Sequence, residues 1–141
     1  MDWKITRFLA IENAADTDAD QAELLGRYVD AFERYDIPGL VTLLREDAIQ
    51  SMPPYAMWLR GPDDISCWLL GPGSACRGSR LVATAANGCT AFGQFRRDGD
   101  NGHRAWALQV IEVSGDRISG MHAFLDTSLF AVFGLPLRLD A

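Results

Sequence analysis

The fold is decided by residues 104–126, which have the sequence RAWALQVIEVSGDRISGMHAFLD. Two apolar runs rich in valine, isoleucine and aromatic residues flank Gly115 and Asp116. A glycine at the first turn position favours a two-residue type II′ turn between two strands. The stretch therefore predicts a β-hairpin whose turn sets the register of both strands.

That register predicts which residues share a face of the hairpin, because side chains alternate between the two faces of a strand. The pairs expected on one face are Val113 with Ile118, Ile111 with Gly120, Gln109 with His122 and Ala107 with Phe124. Gln109 and His122 are the polar pair on this otherwise apolar face. An unpaired buried polar group costs roughly 1–3 kcal/mol, so the two must bond each other, water or a ligand. Both a pocket wall and a self-satisfied core pair fit this pattern.

Composition indicates one globular domain. The chain has 141 residues, of which 48% are hydrophobic and 23% charged, and its formal net charge is −6. An acidic chain without a run of lysine and arginine is a poor match for the phosphate backbone, so direct nucleic-acid binding is not expected. No apolar stretch approaches the roughly 18 residues of a membrane span, and the first residues lack the apolar core of a signal peptide. We expect a cytoplasmic domain.

The three cysteines do not have the spacing of a metal site or of a redox pair. They are Cys67, Cys76 and Cys89. No histidine or lysine pattern beside them predicts an activated thiol, so they are interpreted as inert. The sequence predicts neither a metal nor a cofactor.

Periodicity along the rest of the chain predicts helices first and strands later. Residues 1–20 are interpreted as an extension or linker, and residues 21–141 as the domain. The expected elements are a helix from Gln21, a short helix after Pro38, strands at 48–52 and 57–60, a helix after Gly61, a hairpin at 80–95 turning at Asn87-Gly88, and a helix at 128–133. This order predicts an α+β fold, a curved antiparallel sheet with helices packed over one face and an internal pocket at the open end.

Several phrases carry a resemblance to a known family. They are YVDAFERYD (28–36), SMPPYAMWLRG (51–61), WLLGPGSACRGSRL (68–81) and WALQVIEVSGDRI (106–118). The chain resembles the SnoaL-like polyketide cyclase and ketosteroid isomerase superfamily, with the cone-shaped fold of nuclear transport factor 2. These phrases are most similar to the C-terminal domain of bacterial extracytoplasmic-function RNA polymerase sigma factors. The resemblance implies that sigma-factor domains or RNA polymerase are partners through a parent protein.

The resemblance to ketosteroid isomerases can be tested residue by residue. Those enzymes use a carboxylate base together with an oxyanion hole made of a tyrosine and a protonated aspartate. The tyrosine position of the family falls on Tyr28, the base on Met52 and the oxyanion aspartate on Gln109. A thioether cannot accept a proton, so the isomerase base is missing. Tyr28 and Gln109 can still donate hydrogen bonds to an oxygen.

Two residues remain as weak catalytic candidates. His122 can act as a general base near neutral pH if a partner orients its ring. Asp126 falls on the same face but precedes a short helix, where an aspartate more often serves as a cap. Glu112 is expected on the opposite face, in solvent.

The expected function is that of a non-catalytic ligand-binding domain that regulates transcription through a small-molecule pocket or a protein contact. The predicted pocket residues are Tyr28, Met52, Tyr55, Trp58, Gln109, His122 and Phe124. The alternative is a free-standing isomerase, cyclase or lyase-like enzyme for a small hydrophobic substrate. A third reading is a docking or dimerisation module, since curved sheets of this fold commonly pair with a second copy. The identity of a ligand and the residues that precede Met1 in the natural protein stay open.

Overall fold

The computed structural model describes residues 19–84, 90–99 and 102–140. The helices are α1 (Ala19–Arg34), α2 (Ile37–Val41), α3 (Pro62–Leu70) and α4 (Leu129–Val132), with a 3₁₀ turn at Ser74–Cys76. The strands are β1 (Leu44–Ser51), β2 (Trp58–Arg60), β3 (Arg80–Ala83), β4 (Ala91–Arg97), β5 (Gly102–Ser114), β6 (Arg117–Phe124) and β7 (Arg138–Asp140). The α+β class is confirmed.

Helix α1 is amphipathic, as its sequence period predicts. It begins at Ala19, two residues before the predicted start at Gln21. The helix ends where Tyr35 takes a positive φ of 55°, a left-handed conformation common just after a helix. The Asp36 carboxylate then accepts a hydrogen bond of 3.1 Å from the Gly39 amide and caps α2, which has proline in its first turn as predicted.

The sheet is curved and has the strand order β2-β1-β6-β5-β4-β3, with β7 paired to β5. Its pairs are antiparallel except for β1 and β6, which run parallel. The prediction of an antiparallel sheet is therefore wrong at this pair. Parallel neighbours need a long crossover, and the chain from β2 through α3 to β5 supplies it between β1 and β6. The short strand β7 was not predicted.

The first hairpin has the predicted turn but not the predicted register. Near the turn, where Gly115 has a φ of 65°, Val113 lies opposite Ile118 as expected. Beyond it Ser119 forms a β-bulge, and every later partner shifts by one residue. The observed pairs are Glu112 with Gly120, Ile111 with Met121, Val110 with His122, Gln109 with Ala123 and Leu108 with Phe124. One extra residue moves all later side chains to the other face.

Because of the bulge, three predicted pairings are wrong, namely those of Ile111 with Gly120, Gln109 with His122, and Ala107 with Phe124. The prediction that Glu112 lies on the face opposite His122 is also wrong, because the two side chains share a face. We call the face that carries Gln109 and Ile111 the inner face, and the face that carries Val110 and His122 the outer face. Gln109 and His122 therefore project from opposite sides of the sheet.

The second predicted hairpin is present as strands β3 and β4. They pair antiparallel, with Leu81 opposite Gln94 and Val82 opposite Gly93. The predicted turn at Asn87-Gly88 lies outside the described residues, as does most of the predicted extension at residues 1–20. Cys89 also lies outside them.

Hydrophobic residues pack on both sides of the sheet. On the inner face, α1, α2 and α3 bury a large cluster that includes Tyr28, Phe32 and Ile111. On the outer face, α4 and the C-terminal segment bury a second cluster that includes Phe124 and Phe130. The outer face is thus covered over β4 and β5.

The buried phenols of Tyr28 and Tyr35 predict a loss of stability in alkaline solution. Desolvation, with a smaller contribution from Cys76, raises the pKa of Tyr35 to about 12 and the pKa of Tyr28 well above its ordinary value. Unfolded tyrosines lose their protons near pH 10. Between about pH 10 and 12 the unfolded state therefore binds fewer protons than the folded state. The free energy of unfolding should be intact below pH 10 and fall as the pH rises.

Urea unfolding measured from pH 8 to pH 12 checks this expectation. Tyr35→Phe should show a shallower alkaline decline than the wild type, although it also loses the hydrogen bonds from the Tyr35 hydroxyl to the carbonyls of Leu69 (2.7 Å) and Gly73 (3.0 Å). Tyr55→Phe is the matched control, because Tyr55 is exposed. An alkaline decline of the same steepness in Tyr35→Phe and wild type would contradict the assignment.

Candidate functional site

A row of hydrogen-bonded side chains crosses the inner face under α1. The Tyr28 hydroxyl donates to Gln109 Oε1, and Gln109 Nε2 donates to Gln94 Oε1 at 2.9 Å. Gln94 Nε2 donates to Ser79 Oγ at 3.3 Å. All four side chains are buried. The row forms because Gln94 and Gln109 lie on the same face of the adjacent strands β4 and β5.

The two residues expected to bind an oxygen thus bond each other first. Burial raises the pKa of the Tyr28 phenol, so it stays protonated and remains a donor. Its proton is directed at Gln109 Oε1 and uses one of the two lone pairs of that oxygen. The row is neutral and rigid, and it fixes the polar wall of the space beside it.

A small cavity of about 30 Å³ lies beside this row. Its lining includes Tyr28, Gln50, Gln94 and Gln109 as polar residues. A water molecule needs roughly 10–15 Å³ by this measure, so the cavity holds one or two water-sized groups. Gln50 is 5% exposed, and its Oε1 has no hydrogen-bond partner among the described residues. This oxygen has almost no accessible surface, so the surrounding protein encloses it.

A much larger groove of about 820 Å³ opens next to this cavity. Its lining is mostly apolar and consists of Met52, Pro53, Pro54, Tyr55, Trp106, Phe124, Leu125, Asp126, Ser128, Leu129 and Val132. Met52 and Trp106 line both spaces, whereas Phe124 and Leu129 place the groove on the outer side of the sheet. Pockets of this size and character accommodate small organic ligands.

A second polar row lies on the outer face. His122 Nδ1 is 2.7 Å from Ser51 Oγ, and His122 Nε2 is 2.6 Å from Glu112 Oε1. Parallel pairing places Ser51 beside His122, and the bulge at Ser119 brings Glu112 to the same face. Gly120 leaves room for the row, because a Cβ there would stand 2.7 Å from His122 Nε2 and still nearer the Glu112 carboxylate.

The hydrogen bonds of the outer row have the same order as those of a catalytic triad, but the serine hydroxyl is not accessible to a substrate. A carboxylate that bonds an imidazole, which in turn bonds a hydroxyl, is the order found in serine hydrolases. Ser51, however, is 1% exposed. Both ring nitrogens of His122 are engaged by Ser51 and Glu112. The row links β1, β5 and β6, and only its Glu112 end is substantially open to solvent.

The structure divides the predicted site residues among several places. Tyr28 and Gln109 border the cavity, Tyr55 and Phe124 border the groove, and Met52 borders both. His122 also borders the cavity, although its ring bonds outer-face partners.

Trp58 lies apart from the other predicted pocket residues. It is 64% exposed on β2, opposite Ser51, and lines neither the groove nor the cavity.

Asp126 serves a local structural role beside the groove. Its Oδ1 accepts hydrogen bonds from the Ser128 hydroxyl (2.7 Å) and the Ser128 amide (3.1 Å), just before α4. These bonds hold the pKa of the Asp126 carboxyl below its usual range. The carboxylate is therefore ionised at neutral pH and adds a negative charge to the groove.

Sequence reasoning missed four residues that shape the site, namely Gln50, Ser51, Gln94 and Trp106. Gln94 had a usable signal, because it is the one polar residue in the apolar stretch Ala91–Phe95. Trp106 had none, because it reaches its position through a second bulge that shifts the pairing of β5 with β4.

The described residues were also compared with the requirements of a metal site, a reactive thiol and a membrane-spanning helix. Among them no group of three or more histidine, cysteine, aspartate or glutamate side chains is placed to hold a metal ion. Burial raises the pKa of the Cys76 thiol, which disfavours its reactive thiolate form. None of the helices in this part of the chain is both long and apolar enough to cross a bilayer.

Sequence comparison connects the chain to transcription factors. No family profile matches it. It is 40% identical over 134 residues to the extracytoplasmic-function RNA polymerase sigma factor SigG of Mycobacterium tuberculosis, which covers 90% of this chain and 35% of that protein. The chain thus spans about a third of the length of this curated relative.

Structure comparison confirms the fold. A ketosteroid isomerase-like protein from Kribbella flavida matches with a TM-score of 0.59 and 18% identity, covering 77% of this chain and 78% of its own. A polyketide cyclase-like protein from Xanthomonas campestris matches with a TM-score of 0.60 and 14% identity, covering 84% and 98%. The sigma factor SigJ of Mycobacterium tuberculosis matches with a TM-score of 0.55 and 21% identity, covering 81% and 45%. The chain has the nuclear transport factor 2-like fold.

Proposed function

We propose that this chain is a SnoaL-like regulatory domain of an extracytoplasmic-function sigma factor, with its boundary near residue 20. In this role it modulates transcription initiation through a small-molecule pocket or a protein contact, and it catalyses no reaction. RNA polymerase and the other sigma-factor domains are its partners through the parent protein. The observation that carries the proposal is the 40% identity to SigG across 90% of the chain.

The chemistry of the inner cavity supports binding over turnover. Its polar groups include a protonated phenol and three carboxamides, those of Gln50, Gln94 and Gln109. His122 also borders the cavity, but its two ring nitrogens bond Ser51 and Glu112 on the outer face. Carboxamides and neutral phenols orient a ligand through hydrogen bonds, but they do not exchange protons near neutral pH. The described residues that line this cavity include no aspartate or glutamate.

The test of this proposal begins with the gene. Sequence upstream of the first codon should encode sigma-factor helices in the same reading frame. Transcription in vitro by that full-length protein with core RNA polymerase should then change severalfold in Tyr28→Phe and in Gln109→Leu, because each leaves a buried partner unpaired at about 1–3 kcal/mol. Circular dichroism should show that both variants keep the fold.

Arg27→Gln is the matched control for this experiment. Arg27 is the exposed neighbour of Tyr28 and pairs with Glu23 at 2.7 Å on the solvent side of α1. Its loss should leave transcription unchanged, since exposed pairs of this kind contribute little. If both cavity variants transcribe like the wild type, the regulatory role of the pocket is wrong.

A small isomerase, cyclase or lyase-like enzyme is the second candidate, and the outer row of Ser51, His122 and Glu112 favours it. A carboxylate bonded to an imidazole is an arrangement that orients a general base. Loss of turnover of a small hydrophobic substrate in His122→Ala or Asp126→Asn, with binding retained, would support this candidate. A free-standing gene without sigma-factor helices would favour it as well.

A further inference from the structure

Three arginines lie side by side on neighbouring strands. Arg96 at the end of β4 is the direct partner of Arg104 on β5, and Arg104 is the direct partner of Arg138 on β7. Directly opposed residues of antiparallel strands share a face of the sheet. Gln94, two residues before Arg96 on β4, lies on the inner face, so the three arginines lie on that face too. We call Arg96, Arg104 and Arg138 the arginine row.

The arginine row has more positive charge than its neighbours neutralise. Like charges directly opposite each other on a sheet are destabilising. Asp98 Oδ2 lies 2.5 Å from Arg138 Nη1, and Asp140 lies two residues beyond Arg138. Arg104 is exposed and forms no ion pair within the described part of the chain. Near the row, three guanidinium groups therefore face two described carboxylates on the inner face.

We propose that the arginine row docks an acidic segment of the parent polypeptide, and this inference rests on the proposed function for the existence of that parent. The segment is extended and has aspartate or glutamate side chains at alternate positions. None of the three arginines lines the inner cavity or the groove. The surface is therefore distinct from both spaces, and it gives the protein-contact form of the proposed function a defined location.

The geometry of the row fits carboxylates on an extended chain. Alternate side chains of such a chain lie on one side, about 6.8 Å apart, whereas neighbouring strands lie about 4.8 Å apart. The arginine side chains spread beyond the strand spacing. The Arg96 guanidinium carbon lies 4.2 Å from the centre of the Trp106 ring, and a Cβ at Gly102 would stand 2.9 Å from Arg138 Nη2. These two guanidinium groups thus lie on either side of Arg104 along β5.

Charge favours a short acidic segment over nucleic acid as the occupant. The chain has a formal net charge of −6, which repels a continuous phosphate backbone. Asp98 and Asp140 would also repel phosphates that continue beyond the row. A guanidinium group binds a carboxylate through two parallel hydrogen bonds. The contact of Asp98 with Arg138 is an example of carboxylate binding within the row itself.

The strength of the contacts favours a segment that is covalently attached. Each exposed ion pair changes an affinity by only about 1.4- to 5-fold, so three of them do not hold a free partner at low concentration. A linked segment has an effective concentration in the millimolar range, which is enough to occupy a weak site. The chain spans 35% of the length of SigG, so a protein of that kind has long stretches outside this domain that can supply the segment.

Titration of the 141-residue chain, followed by NMR of the arginine Nε–H signals at low salt, tests the surface. The probes are acetyl-Glu-Thr-Glu-Thr-Glu-amide, the same peptide with glutamine in place of glutamate, and a thymidine tetranucleotide, whose phosphodiesters carry the same total charge as the glutamate peptide. The glutamate peptide should shift the Arg104 signal at millimolar concentration. It should bind at least about threefold more tightly than either of the other probes.

Arg104→Gln and Arg97→Gln are the matched variants for this titration. Arg97 is an exposed arginine next to Arg96 on β4, but it lies on the opposite face of the strand, across from His103. Arg104→Gln should weaken binding of the glutamate peptide about two- to fivefold, whereas Arg97→Gln should leave it unchanged. Urea unfolding should show that both variants keep the wild-type midpoint, because both side chains are exposed.

Three outcomes would overturn the acidic-segment assignment. They are equal effects of the two variants, equal binding of the glutamate and glutamine peptides, and tighter binding of the tetranucleotide. Absence of binding by every probe would overturn the docking surface as a whole.

The parent protein decides where the segment comes from. In that protein the Arg104 Nε–H signal should already lie at its peptide-bound position, and added peptide should not move it. A signal that titrates as it does in the isolated chain would overturn the covalent source. An upstream reading frame without sigma-factor helices would overturn the proposed function and with it this source, while the peptide titration still decides whether the row binds carboxylates.

Discussion

Replacing Phe130 with alanine should lower the free energy of unfolding by about 3–5 kcal/mol, the usual cost of removing a fully buried phenylalanine. Phe130 has no exposed surface, and its ring packs edge-on against Phe95 with centroids 5.3 Å apart. It anchors α4 on the outer face of the sheet. Because the total free energy of unfolding of a domain is only about 5–15 kcal/mol, this single change should shift the urea midpoint strongly.

Under the proposed function, the same substitution should also weaken the binding of a small molecule in the groove. Leu129 and Val132 flank Phe130 on α4 and line the groove, so a loosened α4 removes one of its walls. Val132→Ala is the matched control for stability, because Val132 is 56% exposed on the same helix. It should change the free energy of unfolding by no more than about 0.5 kcal/mol. A Phe130→Ala variant as stable as Val132→Ala would show that α4 does not hold the outer cluster together.

Replacing Gly120 with alanine should cost about 1–3 kcal/mol. A methyl group at this position would stand 2.7 Å from His122 Nε2 and closer still to Glu112, so the Glu112 side chain must leave its hydrogen bond. His122, held by Ser51 on its other nitrogen, has little room to follow. The imidazole would then lose one of its two partners in a buried position.

Gly26→Ala is a control with the opposite expected sign. Gly26 lies in the middle of α1 with nothing within 4 Å of the added carbon. Alanine there should raise the free energy of unfolding by up to about 1 kcal/mol, because glycine is a poor helix former. The comparison by urea unfolding separates crowding at the outer row from a general effect of glycine replacement. Equal shifts in both variants would contradict the contact assigned to Gly120.

Elements governed by local chemistry were predictable from the sequence. The turn at Gly115, the proline and aspartate that start α2, and the apolar face of α1 each depend on residues close in sequence. The fold class followed from the order of these elements and from the resemblance. The parallel pairing of β1 with β6 did not follow, because nothing in either strand specifies the direction of a partner far away in the chain.

The faces of the long hairpin could not be predicted from alternation alone. One bulge at Ser119 changes the partner of every residue after it. A serine followed by glycine does not predict a bulge, and the contact between Glu112 and His122 that accompanies it forms only when the two strands pair. The same shift explains why His122 bonds Glu112 on the outer face, away from Gln109 on the inner face.

The parallel contact between β1 and β6 has a consequence for how the domain is made. Ser51 and His122 are 71 positions apart in the chain, yet they belong to adjacent strands. During synthesis, the edge of β1 that pairs with β6 has unpaired backbone groups until the residues of β6 have left the ribosome. Contacts of such long range slow folding. A newly made chain therefore passes through a period in which the unpaired strand edge favours aggregation, and chaperones act on chains in such states.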